Sequence, residues 1–195
     1  MSHYALIYES PYAKADGESL TIGGEGNKVT VVSVPETGKI IPWARTLAAQ
    51  GVERIELCGG MSPVWRDKVA AAIGKAVPVS SVTFGFESLK LAAAYSAKFE
   101  TGAATKEAFI IRLAGADAGR DRIIEAHAPQ TTTLLPVPDA DSAAAAAREM
   151  VAQGVELIEL YGFDSTAASA VITAVDGAAP VGVGSFALEA FGPTG

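Results

Sequence analysis

The segment Ala49 to Leu57, AQGVERIEL, returns 103 residues later as Ala152 to Leu160, AQGVELIEL. Upstream, Val34-Pro35-Glu36 faces Val137-Pro138-Asp139 and Arg45 faces Arg148; Ala5-Leu6-Ile7 faces Ala108-Phe109-Ile110. Downstream, Gly59 faces Gly162 and Ser62 faces Ser165, and after the offset shortens by one, Pro78-Val79 faces Pro180-Val181. Between Val29–Gly60 and Thr132–Phe163, 14 of 32 ungapped positions are identical. A period of this length is too long for a solenoid, whose repeats run about 20–50 residues, so it marks a duplicated whole module. Whatever one copy folds into, the other must fold into as well.

Each copy reads as strand, strand, helix, strand, helix, strand. Tyr4–Tyr8 and Phe109–Ile111 are short apolar runs; Lys28–Val34 is rich in β-branched residues and follows the turn Gly23-Gly24-Glu25-Gly26-Asn27. Lys39–Gln50 and Ser142–Gln153 carry apolar residues at helical spacing, with Thr37 as one possible cap and Asp139 or Asp141 as the other, and Gly51 and Gly154 stop them. Arg54–Cys58 and Leu157–Tyr161 are the third strands. The next helices begin near Ser62-Pro63 and Asp164-Ser165 and run to about Lys75 and Val175. Val77–Phe84 and Val181–Phe186 are the fourth strands, and Glu87–Phe99 is an Ala-rich helix leading toward the second copy.

Alternating strands and helices imply right-handed crossovers and a mostly parallel sheet. The expected architecture is α/β: two tandem modules, each a mostly parallel four-stranded sheet with flanking helices, related by a pseudo-two-fold axis. The expected boundaries are 1–88, a helical linker 89–104, and 105–195. The direction of the first strand stays open.

The run Gly51-Val52-Glu53-Arg54-Ile55-Glu56-Leu57-Cys58-Gly59, with its weaker form at Gly154 to Gly162, a Val-rich second strand and Val-Pro-Val before the last strand, resembles the small bacterial proteins grouped as domain-of-unknown-function family 6506. The resemblance covers almost the whole chain, twice, and departs where Tyr161 replaces the cysteine. It implies the fold and the duplication and supplies no activity.

Composition excludes several classes. A chain of 195 residues that is 49% hydrophobic and 19% charged is too apolar for disorder. Its longest stretch free of Asp, Glu, Lys and Arg, Ala126 to Pro138, has 13 residues, short of the roughly 20 a membrane helix needs. The start shows no secretory pattern, so a cytoplasmic location is expected. A net charge of −7 without a basic cluster argues against nucleic acid. One cysteine and two histidines leave little for metal ligation, and no cofactor is expected. The expected partner is a small molecule, and the assembly a monomer or a homodimer. Residues 1–102 hold ten basic and ten acidic residues against five and twelve in 103–195, so the whole net charge sits in the second copy.

Glu56 and Glu159 are the most unusual residues, since they lie mid-strand, out of phase with Ile55, Leu57, Ile158 and Leu160. If that face is covered, each carboxylate is desolvated and becomes a candidate general acid or base. If not, each meets water or pairs with Arg45 or Arg148. Cys58 precedes a Gly-Gly turn and a helix start, which either lowers its thiol pKa or leaves it a buried inert thiol. Ligands of parallel sheets bind at the carboxyl ends of strands, where helix N-termini favour small anions. That edge holds Glu36, Gly59 and Ser62 in copy one and Asp139, Tyr161, Gly162 and Ser165 in copy two, although Ser62 and Ser165 also serve as plain helix caps. Two functions are compatible with these residues. One is a cofactor-independent isomerase or lyase using the strand carboxylates; the other is a non-catalytic ligand-binding or interaction module.

Overall fold

The computed structural model describes residues 2–24, 26–74 and 76–186. Glu25 of the expected turn, Lys75 at the expected helix end and residues 187–195 of the second module lie outside the described residues. Internal contacts divide the chain into two compact units: one takes the described residues up to Val82 and again from Gly184, the other Thr83–Val183; the strands Val79–Phe84 and Val181–Phe186 cross this division, and each is grouped with the unit in which it begins.

The first unit is built on β1 (Ser2–Glu9), β2 (Glu18–Gly23), β3 (Asn27–Val34), β4 (Ile55–Leu57) and β5 (Val79–Phe84), ordered β2-β3-β1-β4-β5. β1 runs parallel to both β3 and β4, which settles the open direction of the first strand. β4 is parallel to β5. To the four expected strands the structure adds β2, paired antiparallel with β3 from Glu18↔Ser33 to Gly23↔Lys28. The glycine-rich stretch thus joins two strands paired as a hairpin. Gly23 needs its positive φ of 102°, since a Cβ there would lie 2.3 Å from the Asn27 carbonyl oxygen. Two helices, α1 (Ile40–Ala49) and α2 (Val64–Ile73), bury Ile40, Ala44 and Leu47 on the one and Val69 on the other.

The second unit repeats the plan with α3 (Leu89–Glu100), β6 (Thr105–Arg112), β7 (Ile123–His127), β8 (Gln130–Val137), α4 (Ala140–Ala152), β9 (Leu157–Tyr161), α5 (Ser165–Val175) and β10 (Val181–Phe186). The strand order is β10-β9-β6-β8-β7; β6 is parallel to β8 and β9, and β7 is the added antiparallel edge. One part of its core lies on one face of the sheet. Ala108, Ile110, Leu135, Val137, Ile158 and Leu160 pack there against α4 and α5. The alanine run contributes more than helix propensity: Ala143, Ala144, Ala146 and Ala147 are all buried, and their small side chains let α4 lie close to α5 and the strands.

Local signals account for the helix ends. Asp139 accepts a hydrogen bond from the Ser142 N–H at 2.8 Å, and Asp164 accepts from Ala167 at 3.0 Å. Ser165 is therefore not a cap but the first residue of α5. Thr37 is not a cap either: it opens a 3-10 turn, Thr37–Lys39, that leads into α1. At the C-termini, Gly51 and Gly154 have φ of 77° and 80° and donate to Ala48 and Val151, while Val52 and Val155 reach back to Leu47 and Met150. This double closure satisfies the last carbonyls and buries a valine beneath each helix end. Trp43 and Trp65 are half-buried; the Trp43 indole donates to the Asp16 carbonyl, and Lys68 lies 4.3 Å from the Trp65 ring centre.

Among the described residues no helix is long and apolar enough to cross a membrane.

Candidate functional site

The parallel strands of each unit follow the order second, first, third, fourth, so the chain switches direction across the sheet between β1 and β4, and between β6 and β9. Such a switch point opens a crevice at the carboxyl ends of the strands. In the first unit that edge carries Glu36, Cys58, Gly59 and Ser62, as the sequence implies, and also Glu9 at the end of β1. Burial and the neighbouring Glu36 charge both push the Glu9 carboxyl above its ordinary range. The edge of the first unit thus brings two carboxyl groups near each other. Ser62 is exposed, its hydroxyl 3.4 Å from the Val64 N–H. Cys58 is buried beside Ile7 of β1, to whose carbonyl its N–H donates a hydrogen bond. In the second unit Asp139 is occupied as a helix cap, and its pKa is lowered mainly by the Ser142 N–H. Gly162 turns the chain at φ 77°, and Ser165 is exposed at the start of α5.

Both mid-strand glutamates are covered, each about 2% exposed. Glu56 accepts from Arg54 Nε at 2.9 Å, and the same guanidinium lies 3.9 Å over the Tyr4 ring centre. The ion pair foreseen for Glu56 therefore forms with Arg54, two residues away on the same side of the strand, instead of Arg45 on α1, which is exposed. Glu159 accepts a short hydrogen bond from the Tyr161 hydroxyl, whose ring packs edge-on against Phe109 at 5.3 Å. Tyr161, replacing the cysteine of the first copy, is thereby a buried partner of Glu159, not a surface ligand group.

The sequence reading missed a third carboxylate. Glu107 on β6 is 5% exposed and accepts three hydrogen bonds: from the Tyr95 hydroxyl of α3 at 2.6 Å, from Thr132 Oγ1 at 2.7 Å and from Gln130 Nε2 at 2.9 Å. Burial raises its pKa against the opposing pull of those donors. Burial and the adjacent Glu107 charge also raise that of Tyr95, with a smaller push from Glu159, so the phenol stays protonated and donates. The same out-of-phase signal that marks Glu159 marks Glu107, but it shows only once β6 is extended back to Thr105.

Above this cluster lies a pocket of about 360 Å³, at the amino-terminal ends of β9 and β10 and not at the carboxyl edge. Leu91 and Ala94 of α3, Val151, Val155 and Pro180 give it apolar walls, and Tyr95, Lys98 and Glu156 are its polar members. Lys98 Nζ meets Glu156 Oε1 at 2.9 Å, while Glu156 Oε2 is buried without a hydrogen-bond partner. None of the carboxyl-edge residues named from the sequence lines this pocket. Among the described residues no group of three or more His, Cys, Asp or Glu is placed to hold a metal ion.

The two copies differ in this buried layer. At matching positions the first unit has Tyr4, Arg54 and Glu56, an acid beside a cation; the second has Glu107, Leu157 and Glu159, two acids and a leucine in the cation's place.

No curated protein matches the chain. Among solved structures, the ABC domain in complex with L-Trp from Streptococcus pneumonia is similar at 11% identity, over 92% of this chain and 72% of that one, with a TM-score of 0.30, a likeness too low to carry an argument. The model of the Family of unknown function (DUF6506) matches residues 2–97 and again residues 105–191, one match per copy. The chain therefore belongs to DUF6506 and carries its domain twice in tandem.

Proposed function

We propose that this protein binds a small molecule in the second unit, without chemistry at Glu56 or Glu159. The observation that carries this reading is the pocket of about 360 Å³ under α3. It falls within the roughly 300–1,000 Å³ of ordinary ligand sites and combines apolar walls with a few polar groups. Glu56 is committed to Arg54, and Glu159 to Tyr161; neither lines the pocket. A thermal-shift screen of small metabolites tests the reading, run in parallel on wild type and on Ala94→Trp, which fills the pocket from an exposed helix position. Ligands of this site raise the wild-type melting temperature and leave the variant unmoved. Hits that shift both proteins alike refute the location.

One observation favours a catalytic reading of isomerase or lyase type: Glu107, a carboxyl of raised pKa, sits directly behind the pocket-lining Tyr95. In that reading Tyr95 and Glu107 together hold the proton that a bound substrate exchanges. Glu107→Gln would then keep ligand binding and lose turnover, whereas a binding protein shows no turnover to lose.

A further inference from the structure

We infer that the pocket takes a neutral, mainly apolar ring compound and turns away charged relatives of the same shape; the inference rests on the binding reading above and names its ligand class. Tyr95, Lys98 and Glu156, the hydrogen-bonding side chains among the described residues that line the pocket, are already committed. Tyr95 gives its hydroxyl to Glu107 at 2.6 Å, and Lys98 and Glu156 hold each other at 2.9 Å. The second Glu156 oxygen is buried from solvent, so a ligand in the pocket does not reach it. Lys98 is half-exposed, and its other N–H groups are hydrated. The loop N–H groups along the wall, those of Gly154, Val155, Glu156 and Ala178, are spent within the unit, and Pro180 has none.

A charged ligand entering this space therefore loses its water without gaining a partner. An anion brought to Lys98 meets the Glu156 carboxylate beside it, and a cation brought to Glu156 meets the Lys98 ammonium. The ion pair thus opposes either charge that would split it. Neutral apolar surface carries no such loss, and it gains contact with Leu91, Ala94, Val151, Val155 and the Tyr95 ring. At about 30 Å³ per water-sized group, the 360 Å³ has room for about a dozen such groups, the size of a fused pair of rings.

The test is titration calorimetry on the full chain with naphthol and cyclohexanol, each beside the carboxylate and the methylammonium of the same ring. The expected result is binding of at least one alcohol, about tenfold tighter than its two charged relatives and lost in Ala94→Trp; Leu91→Trp blocks the same space should Ala94→Trp not fold. Glu156→Gln removes the carboxylate that competes for Lys98, and should tighten the binding of the ring carboxylate about tenfold. A carboxylate or ammonium that binds wild type as tightly as its alcohol overturns the inference, as does a Glu156→Gln protein that binds the carboxylate no tighter. The two levels of failure separate. If the alcohols do not bind at about millimolar concentration while a charged probe binds wild type and not the tryptophan variant, the pocket reading survives and the ligand class falls. If no probe binds, or if binding persists in both folded tryptophan variants, both fall.

Discussion

Replacing Glu107 by Gln removes a buried charge while keeping its shape and its hydrogen-bond sites. The amide oxygen takes the bonds from Thr132 and Gln130, and the Tyr95 hydroxyl turns to accept from the amide nitrogen. Burial raises the folded pKa of Glu107 above the ordinary carboxylate value of about 4, so across that window the folded state holds more protons than the unfolded state. Stability linked to Glu107 is therefore fully present below the ordinary value and falls as pH rises through the folded pKa. The slope for one such group is at most about 1.4 kcal/mol per pH unit. Glu9, also raised, acts in the same direction, and His3, lowered mainly by burial, acts in the opposite one; both remain in both proteins. The lowered carboxyls Asp121, Asp139 and Glu149 lose their contribution only as pH falls below the ordinary range, outside the window. Urea denaturation followed by circular dichroism, at intervals from about pH 5 to 8, should give a wild-type stability that falls relative to that of Glu107→Gln as pH rises. The variant should equal or exceed wild type at the alkaline end. Parallel lines would refute the reasoning, as would a variant weaker by about 1–3 kcal/mol at every pH, for then Glu107 is an ionised acceptor whose three donors outweigh its burial.

Two further perturbations test the packing. Arg54→Ala leaves the Glu56 carboxylate buried without its cation and should cost about 3 kcal/mol, while Arg54→Met with Glu56→Leu should recover most of that loss; both are read by urea midpoints. Ala147→Leu forces a larger side chain between α4 and the strands and should cost about 1–3 kcal/mol, whereas Ala145→Leu, on the exposed face of the same helix, should change the melting temperature little.

The duplication, the helix ends and the parallel strands were legible because they rest on local rules. A glycine after Gln50 or Gln153 has one good use at a helix end, and a β-branched run has one good conformation. The edge strands β2 and β7 escaped notice because a half-exposed strand at a sheet edge needs no continuous apolar pattern: Glu18–Gly23 and Ile123–His127 alternate exposed and covered residues, and polar side chains serve there. Glu56 and Glu159 stood out by their phase, but the phase of a strand residue says only which face it occupies. Whether that face meets water or another layer depends on what packs against it.

The site shows the same division. Sequence order leads from β5 through α3 to the second copy, and the first family match includes most of α3. Its contacts belong to the second unit, where Tyr95 reaches Glu107 and Lys98 reaches Glu156, 58 positions further along the chain. What the sequence by itself determined is the module, its repetition and its local geometry, since each follows from residues within a turn or a strand of one another. Only the tertiary structure decided which carboxylates lie buried, which of them has a cation, and that a pocket opens at the amino ends of β9 and β10. Desolvation and charge pairing are properties of neighbours in space, and no spacing along the chain specifies them.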